Sequence, residues 1–187
     1  MTQRLIVAGV AGGVGTTTVV AMLFAELSPA PLLIDHSGGD LGGRLTGGDD
    51  TPTIDDLLTL HDIGAHPAKL LETLEEPDTL GLIVTSTTEA GFVLAHRTLA
   101  SIRERYGSGG ISRVLVATVG VFGHHRTARR SDAIRAEFGP KIIVVFPQDV
   151  ALAAGGRVPQ NRLSPQSVEA QRLLATSVRN RATAFRR

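Results

Sequence analysis

The chain is 187 residues long, 42% apolar and 20% charged, with a formal net charge of +1, 21 glycines and no cysteine. That length suits a single domain, residues 1–187, able to bury a substantial core. Without cysteine there are neither disulfides nor thiolate metal sites, and a reducing cytoplasm is the simplest home. No apolar run approaches the ~20 residues of a membrane span, and the opening residues lead straight into strand-like sequence with no signal-peptide pattern. The near-neutral charge hides a polarity. Residues 1–93 hold 3 Lys and Arg against 13 Asp and Glu, whereas residues 94–187 hold 16 against 5. Such asymmetry marks either a nucleic-acid or acidic-partner face in the C-terminal half, or two halves that interleave so that the charges pair or lie solvated; the second is the commoner case.

Residues 5–8 form an apolar run that reads as a buried strand, and residues 16–27, apolar at Val19, Val20, Met22, Leu23 and Leu27, read as a helix. Between them lies a turn in which Gly12, Gly13 and Gly15 permit backbone geometry that side chains would block. Strand, glycine loop and helix together aim backbone N–H groups and a helix N-terminus at a phosphate. Prolines 29 and 31 then break the helix. Residues 32–35 are a short strand ending in Asp35, and residues 36–50, with six glycines, are a loop. Residues 53–60 read as a helix capped by Thr53, with Asp55 and Asp56 in its positive first turn. A short helix at 68–74 is closed by Pro77. Strands follow at 80–84, 114–122 and 141–146, and helices at 89–106, 127–138 and 167–181, the last with Leu174, Val178 and Ala182 on one stripe. Almost wholly apolar strands alternating with helices predict an α/β fold, a doubly wound, mostly parallel sheet covered by helices on both faces.

Against the Walker A pattern G-x-x-x-x-G-K-[ST], only Gly15 and Thr17 fit. Residues 11–18, A-G-G-V-G-T-T-T, instead resemble the deviant loop K-G-G-V-G-K-T-T of the ParA/MinD-like ATPases. Gly12, Gly13, Val14, Gly15, Thr17 and Thr18 match, while Ala11 and Thr16 replace the two lysines. The form is similar to that of the CpaE/TadZ-like branch, in which threonine occupies the lysine position. Residues 31–35 resemble the family strand whose final Asp, here Asp35, lies near the magnesium and the attacking water; Ser37 replaces a second Asp. Residues 82–89 resemble the family's V-V-T-x-P-E turn. Residues 114–118 align with the strand ending in an adenine-reading Asn, a position held here by Ala117 or Thr118. Residues 146–149 resemble I-P-x-D, which lies over the base. The family also has a Walker B strand ending in Asp between the Asp35 and T-x-P-E segments. None is legible between His36 and Leu80, where Asp62 and Asp78 follow no β-like run. The expectation is that this strand is deleted or that residues 80–86 take its place.

The resemblance implies ATP and Mg²⁺ as cofactors. The nucleotide would lie among Gly12, Gly13, Val14, Gly15, Thr16, Thr17, Thr18, Pro147 and Asp149, the metal on Thr17 and Asp35, with Asp35 catalytic. A charge-assisted contact to phosphate is worth about 1.5–3 kcal/mol, so losing the lysine weakens binding roughly 10–100-fold. Hydrolysis suffers more, because charge matters most in the transition state. The resulting expectation is a P-loop protein with a degenerate site, a positioning or assembly factor working through protein contacts, with weak or no ATP hydrolysis. It has two competitors. One is an active ATPase whose missing cation is supplied by Arg44 or a partner. The other is a DNA-partitioning protein that uses the Arg-rich C-terminal half. A basic patch at Arg126, Arg129 and Arg130, beside His124 and His125, is the local candidate for nucleic acid or an acidic partner, set against a solvated helix start. Expected partners are another protein or a second copy of the chain. A membrane is not expected, because packing of the basic C-terminal helix on the sheet is commoner than its lying on anionic lipid.

Overall fold

The computed structural model describes residues 2–38, 40–45, 54–120, 127–153 and 156–185. Six strands form one sheet: β1 (Gln3–Gly9), β2 (Ala30–Asp35), β3 (Ile54–Asp62), β4 (Thr79–Ser86), β5 (Val114–Val119) and β6 (Ile143–Phe146). Every pairing is parallel, in the order β2-β3-β1-β4-β5-β6. The helices are α1 (Thr16–Glu26), α2 (Leu41–Arg44), α3 (Pro67–Thr73), α4 (Glu89–Ser112), α5 (Thr127–Phe138), α6 (Val150–Ala153) and α7 (Pro165–Ala184). α1 packs with α2 and α7 on one side, while α3, α4 and α5 cover β1, β4 and β6 on the other. The doubly wound α/β architecture is the one expected.

Its sequence basis is the continuous apolar character of the middle strands. Leu5, Val7, Leu82, Ile83, Val84, Val114, Val116 and Ala117 are all at most 1% exposed, which a parallel sheet covered on both faces requires. Side-chain donors fasten the helices by reaching backbone carbonyls at or near their C-terminal ends. Gln171 Nε2 donates to the Met22 carbonyl at 2.8 Å, joining α7 to α1. Arg113 donates to the Leu74 and Glu76 carbonyls just beyond α3. Arg179 does the same for Glu26 and Ser28 after α1. Leu174, Val178 and Ala182 are buried, so α7 docks on the sheet as expected. No helix among the described residues is long and apolar enough to cross a membrane.

The main departure is at 53–60. Thr53, its expected cap, lies outside the described residues, and residues 54–62 are the strand β3. Ile54, Leu57 and Leu58 fall at helix-like spacing, but the sheet decides otherwise. β3 sits between β1 and β2, pairing Gln3 with Leu58 and Val7 with Asp62 on one side and Asp35 with Asp62 on the other. Leu58, Leu60 and Asp62 alternate inward, while Leu57 is 47% exposed. Without this strand β1 and β2 would have no shared ladder, and buried backbone groups must be paired. The strand thought missing is therefore present and ends in Asp62. Residues 80–86 do not substitute for it, since β4 flanks β1 on the opposite side. Smaller differences are local. The 36–50 loop contains the short α2, whose Gly43 N–H is capped by the Asp40 carboxylate. The helix starting at Glu89 passes a break at Gly107 (φ 63°) and runs on to Ser112. β5 stops at Val119, and residues 121–122 lie outside the described segments.

Candidate functional site

The loop after β1 places its glycines where they are needed. Gly13 (φ 74°) and Gly15 (φ 88°) are in the left-handed region, open at little cost only to glycine. Gly15 caps α1 without a side-chain hydrogen bond, leaving the first N–H groups of the helix for a ligand. A cavity of about 570 Å³ opens above them, within the size range of small-molecule sites. It lies at the carboxyl ends of the strands, where open α/β sheets bind ligands. All seven loop residues expected to hold nucleotide, Gly12, Gly13, Val14, Gly15, Thr16, Thr17 and Thr18, line it, and so do Pro147 and Asp149.

Beside the loop, β3 delivers Asp62, which does follow a β-run, contrary to expectation. Asp62 is fully buried. Its Oδ1 accepts from the Gly64 N–H at 2.9 Å, while Oδ2 has no partner among the described residues. Burial pushes this carboxyl above its ordinary pKa. The Gly64 N–H and the Thr17 hydroxyl oppose that rise, and the nearby Asp35 charge adds to it. An orphaned carboxylate oxygen next to a threonine hydroxyl at the start of α1 is the oxygen donor set that suits a hard, partly hydrated Mg²⁺. The signal that could have found Asp62 is the two-residue alternation of Leu58, Leu60 and Asp62.

Asp35 lies opposite Asp62 in the β2–β3 register but is exposed. Its Oδ1 accepts from both Ser37 N (2.8 Å) and Ser37 Oγ (2.6 Å). Ser37, not Asp35, lines the cavity; Asp35 borders an adjoining apolar groove along β2. Asp149 is buried, with Oδ1 taken by the Ala151 N–H (2.9 Å) and Oδ2 by the Ser164 N–H (2.8 Å). Burial tends to raise its pKa, but hydrogen bonds from Ser167, Ser164 and Ala151 outweigh that and hold it below the ordinary value. Its carboxylate shapes the cavity wall from behind. Neither Ala117 nor Thr118 reaches the cavity; Val119 and Gly120 do. Gly120 is obligatory there, because a Cβ would fall 2.2 Å from the Gln148 backbone nitrogen.

Arg44 also lines the cavity, with Nη1 donating to Thr18 Oγ1 at 2.9 Å. The basic patch does not assemble among the described residues. Arg126, His124 and His125 lie outside them, Arg129 is exposed, and Arg130 is paired with Glu89 at 2.9 Å. No group of three or more His, Asp or Glu side chains able to hold a metal by themselves occurs among the described residues.

Six parallel strands with a glycine loop at the end of β1 and helices on both faces make an α/β fold that solved ParA and MinD structures share. No family model matches the chain, and no curated protein matches its sequence. Solved structures do. A ParA family ATPase from Chlorobium tepidum superposes with a TM-score of 0.63 at 18% identity, over 94% of this chain and 99% of that one. The MinC:MinD cell division protein complex of Aquifex aeolicus gives 0.56 at 13% identity, over 99% and 96%. Apo McdA from Cyanthece gives 0.52 at 15% identity, over 100% and 98%. At these identities the likeness is one of fold.

Proposed function

We propose that this chain is a nucleotide-binding positioning or assembly factor of the ParA/MinD kind, acting in the cytoplasm through protein contacts, with slow or no ATP hydrolysis. The observation that carries the reading is the buried Asp62 carboxylate, its Oδ2 without a partner among the described residues, beside Thr17, which lines a glycine-walled cavity of nucleotide size. Gly12 to Thr18 hold the phosphates through backbone N–H groups. Thr17 and Asp62 would hold Mg²⁺, with Asp35 near enough to add charge. Pro147 and Asp149 bound the far wall. When bound, the metal neutralises phosphate charge. The CpaE/TadZ-like form of the loop supports the assembly role, and so does the absence of both lysines, which removes the charge that speeds phosphoryl transfer. Structural neighbours whose titles name a ParA family ATPase and a MinC:MinD cell division complex support a role exercised with a protein partner or a second copy of the chain.

Calorimetry with ATP and ADP, in Mg²⁺ and again in EDTA, tests this. The expected result is metal-dependent binding with a dissociation constant of roughly tens to hundreds of micromolar. No heat at several millimolar nucleotide would overturn the reading.

A further inference from the structure

Resting on that nucleotide reading, we infer that Arg44 is the phosphate-binding cation of this pocket, supplied from the segment after β2 in place of the loop's two missing lysines. Three observations converge on it. First, among the described residues lining the cavity, Arg44 is the sole Lys or Arg, and the acid that shares the wall, Asp149, has both oxygens occupied by backbone N–H groups. Second, the guanidinium is held in place. Nη1 rests on Thr18 Oγ1, in the first turn of α1. The Arg44 carbonyl accepts from Val158 N at 3.1 Å, and the next carbonyl, of Leu45, accepts from Arg157 Nε at 3.1 Å. Leu41, 3% exposed, anchors the same short helix in the core. Third, Arg44 forms no ion pair with any described carboxylate. One hydroxyl uses a single N–H of a group that carries five in a planar fork suited to phosphate oxygens. A half-buried guanidinium whose other N–H groups meet no acceptor among the described residues, pinned to the helix whose N-terminus already favours an anion, is suited to a charged acceptor.

The competing explanation is mechanical: Arg44 simply staples α2 to α1. Arg44→Gln separates the two, since it keeps an N–H donor for Thr18 and discards the charge. Binding of ATP, ADP and adenosine in Mg²⁺ would be measured by calorimetry for the wild type, Arg44→Ala, Arg44→Gln and Arg44→Lys, with circular dichroism and melting curves to verify folding. The expected result is a roughly 10–100-fold loss of ATP affinity in both Arg44→Ala and Arg44→Gln, partial recovery in Arg44→Lys, and unchanged adenosine binding. ATP affinity within twofold of wild type in Arg44→Gln, with the wild type binding well, would sink the role of Arg44 and leave the nucleotide reading standing. A fall in adenosine affinity as large as that for ATP would also sink it, since a cation on phosphate leaves the nucleoside untouched. Absence of ATP binding by the wild type would remove both ideas together.

Discussion

Single residues in this protein separate into those that shape the site and those that charge it. Gly13 and Gly15 shape it by adopting a backbone that other residues resist, and Gly120 by letting the Gln148 backbone approach. Asp62 charges it, and at a cost. Burial raises its pKa in the folded chain. The stability linked to that shift is fully present below the unfolded value of about 3.9 and is lost as pH rises through the folded value. At neutral pH, with no cation nearby, burial of this carboxyl therefore works against the fold. Asp62→Asn keeps an acceptor for the Gly64 N–H and removes the charge. In EDTA at pH 7.5 it is expected to stabilise by about 1 kcal/mol, or roughly 2–4 °C in Tm for a chain of this size, and to flatten the decline of Tm between pH 4 and 8. Calorimetry of the same variant is expected to show nucleotide binding with no Mg²⁺ dependence. A lower Tm than wild type at pH 7.5 would contradict this account of Asp62.

At the scale of elements, the segment that closes the cavity is organised from within. Asp149 joins the end of β6 to α6 through the Ala151 N–H and to the start of α7 through the Ser164 N–H. Ser164 in turn caps α7 by accepting from the Ser167 N–H at 3.2 Å. Because hydrogen bonding holds the folded pKa of Asp149 below its unfolded value, its contribution is present above pH ~4 and disappears as pH falls through the depressed value. Asp149→Ala leaves buried N–H groups unsatisfied and is expected to cost about 1–3 kcal/mol at pH 7. The difference in Tm from wild type should shrink below pH 3, which thermal melts across pH 2.5–7 would show. A constant difference across that range would mean that the carboxylate charge is irrelevant to the anchor.

Over the whole molecule, the acidic and basic halves of the chain are interleaved. Among the described residues two ion pairs join them, Arg105 with Glu75 and Arg130 with Glu89, while Arg4 pairs with Glu76 and Asp78 inside the acidic half. Arg103 shares Glu137 with His96, and Arg113, Arg179 and Arg181 are turned onto backbone carbonyls. Arg130 of the expected basic patch is thus one of the two arginines paired with the acidic half, and this pairing weighs against the DNA-partitioning alternative. Fluorescence anisotropy with a 30-base-pair duplex at 50 mM salt is expected to give no saturable binding below about 10 μM. Submicromolar binding that falls 10³-fold or more by 200 mM salt would reveal a phosphate-binding surface after all.

The alternation of apolar strands and helices, the glycine loop and the threonines that follow it were legible in the sequence, because local periodicity and glycine geometry act within a few residues. The same locality explains what was misread. Ile54, Leu57 and Leu58 carry helical spacing, and nothing nearby in the chain reveals that two other strands, β1 and β2, need a partner between them. Strand pairing is a long-range demand, and it turned 54–62 into β3, carried Asp62 to the end of that strand and buried it against Thr17. Arg44 is a second instance. As a lone arginine in a glycine-rich loop it was one candidate cation; its seat on Thr18, secured by residues 157–158 over a hundred positions away, exists only in the folded chain. Sequence determined which segments could be strands and where a phosphate would be cradled; tertiary packing decided which charges stand around it, because charges are placed by neighbours distant in the chain.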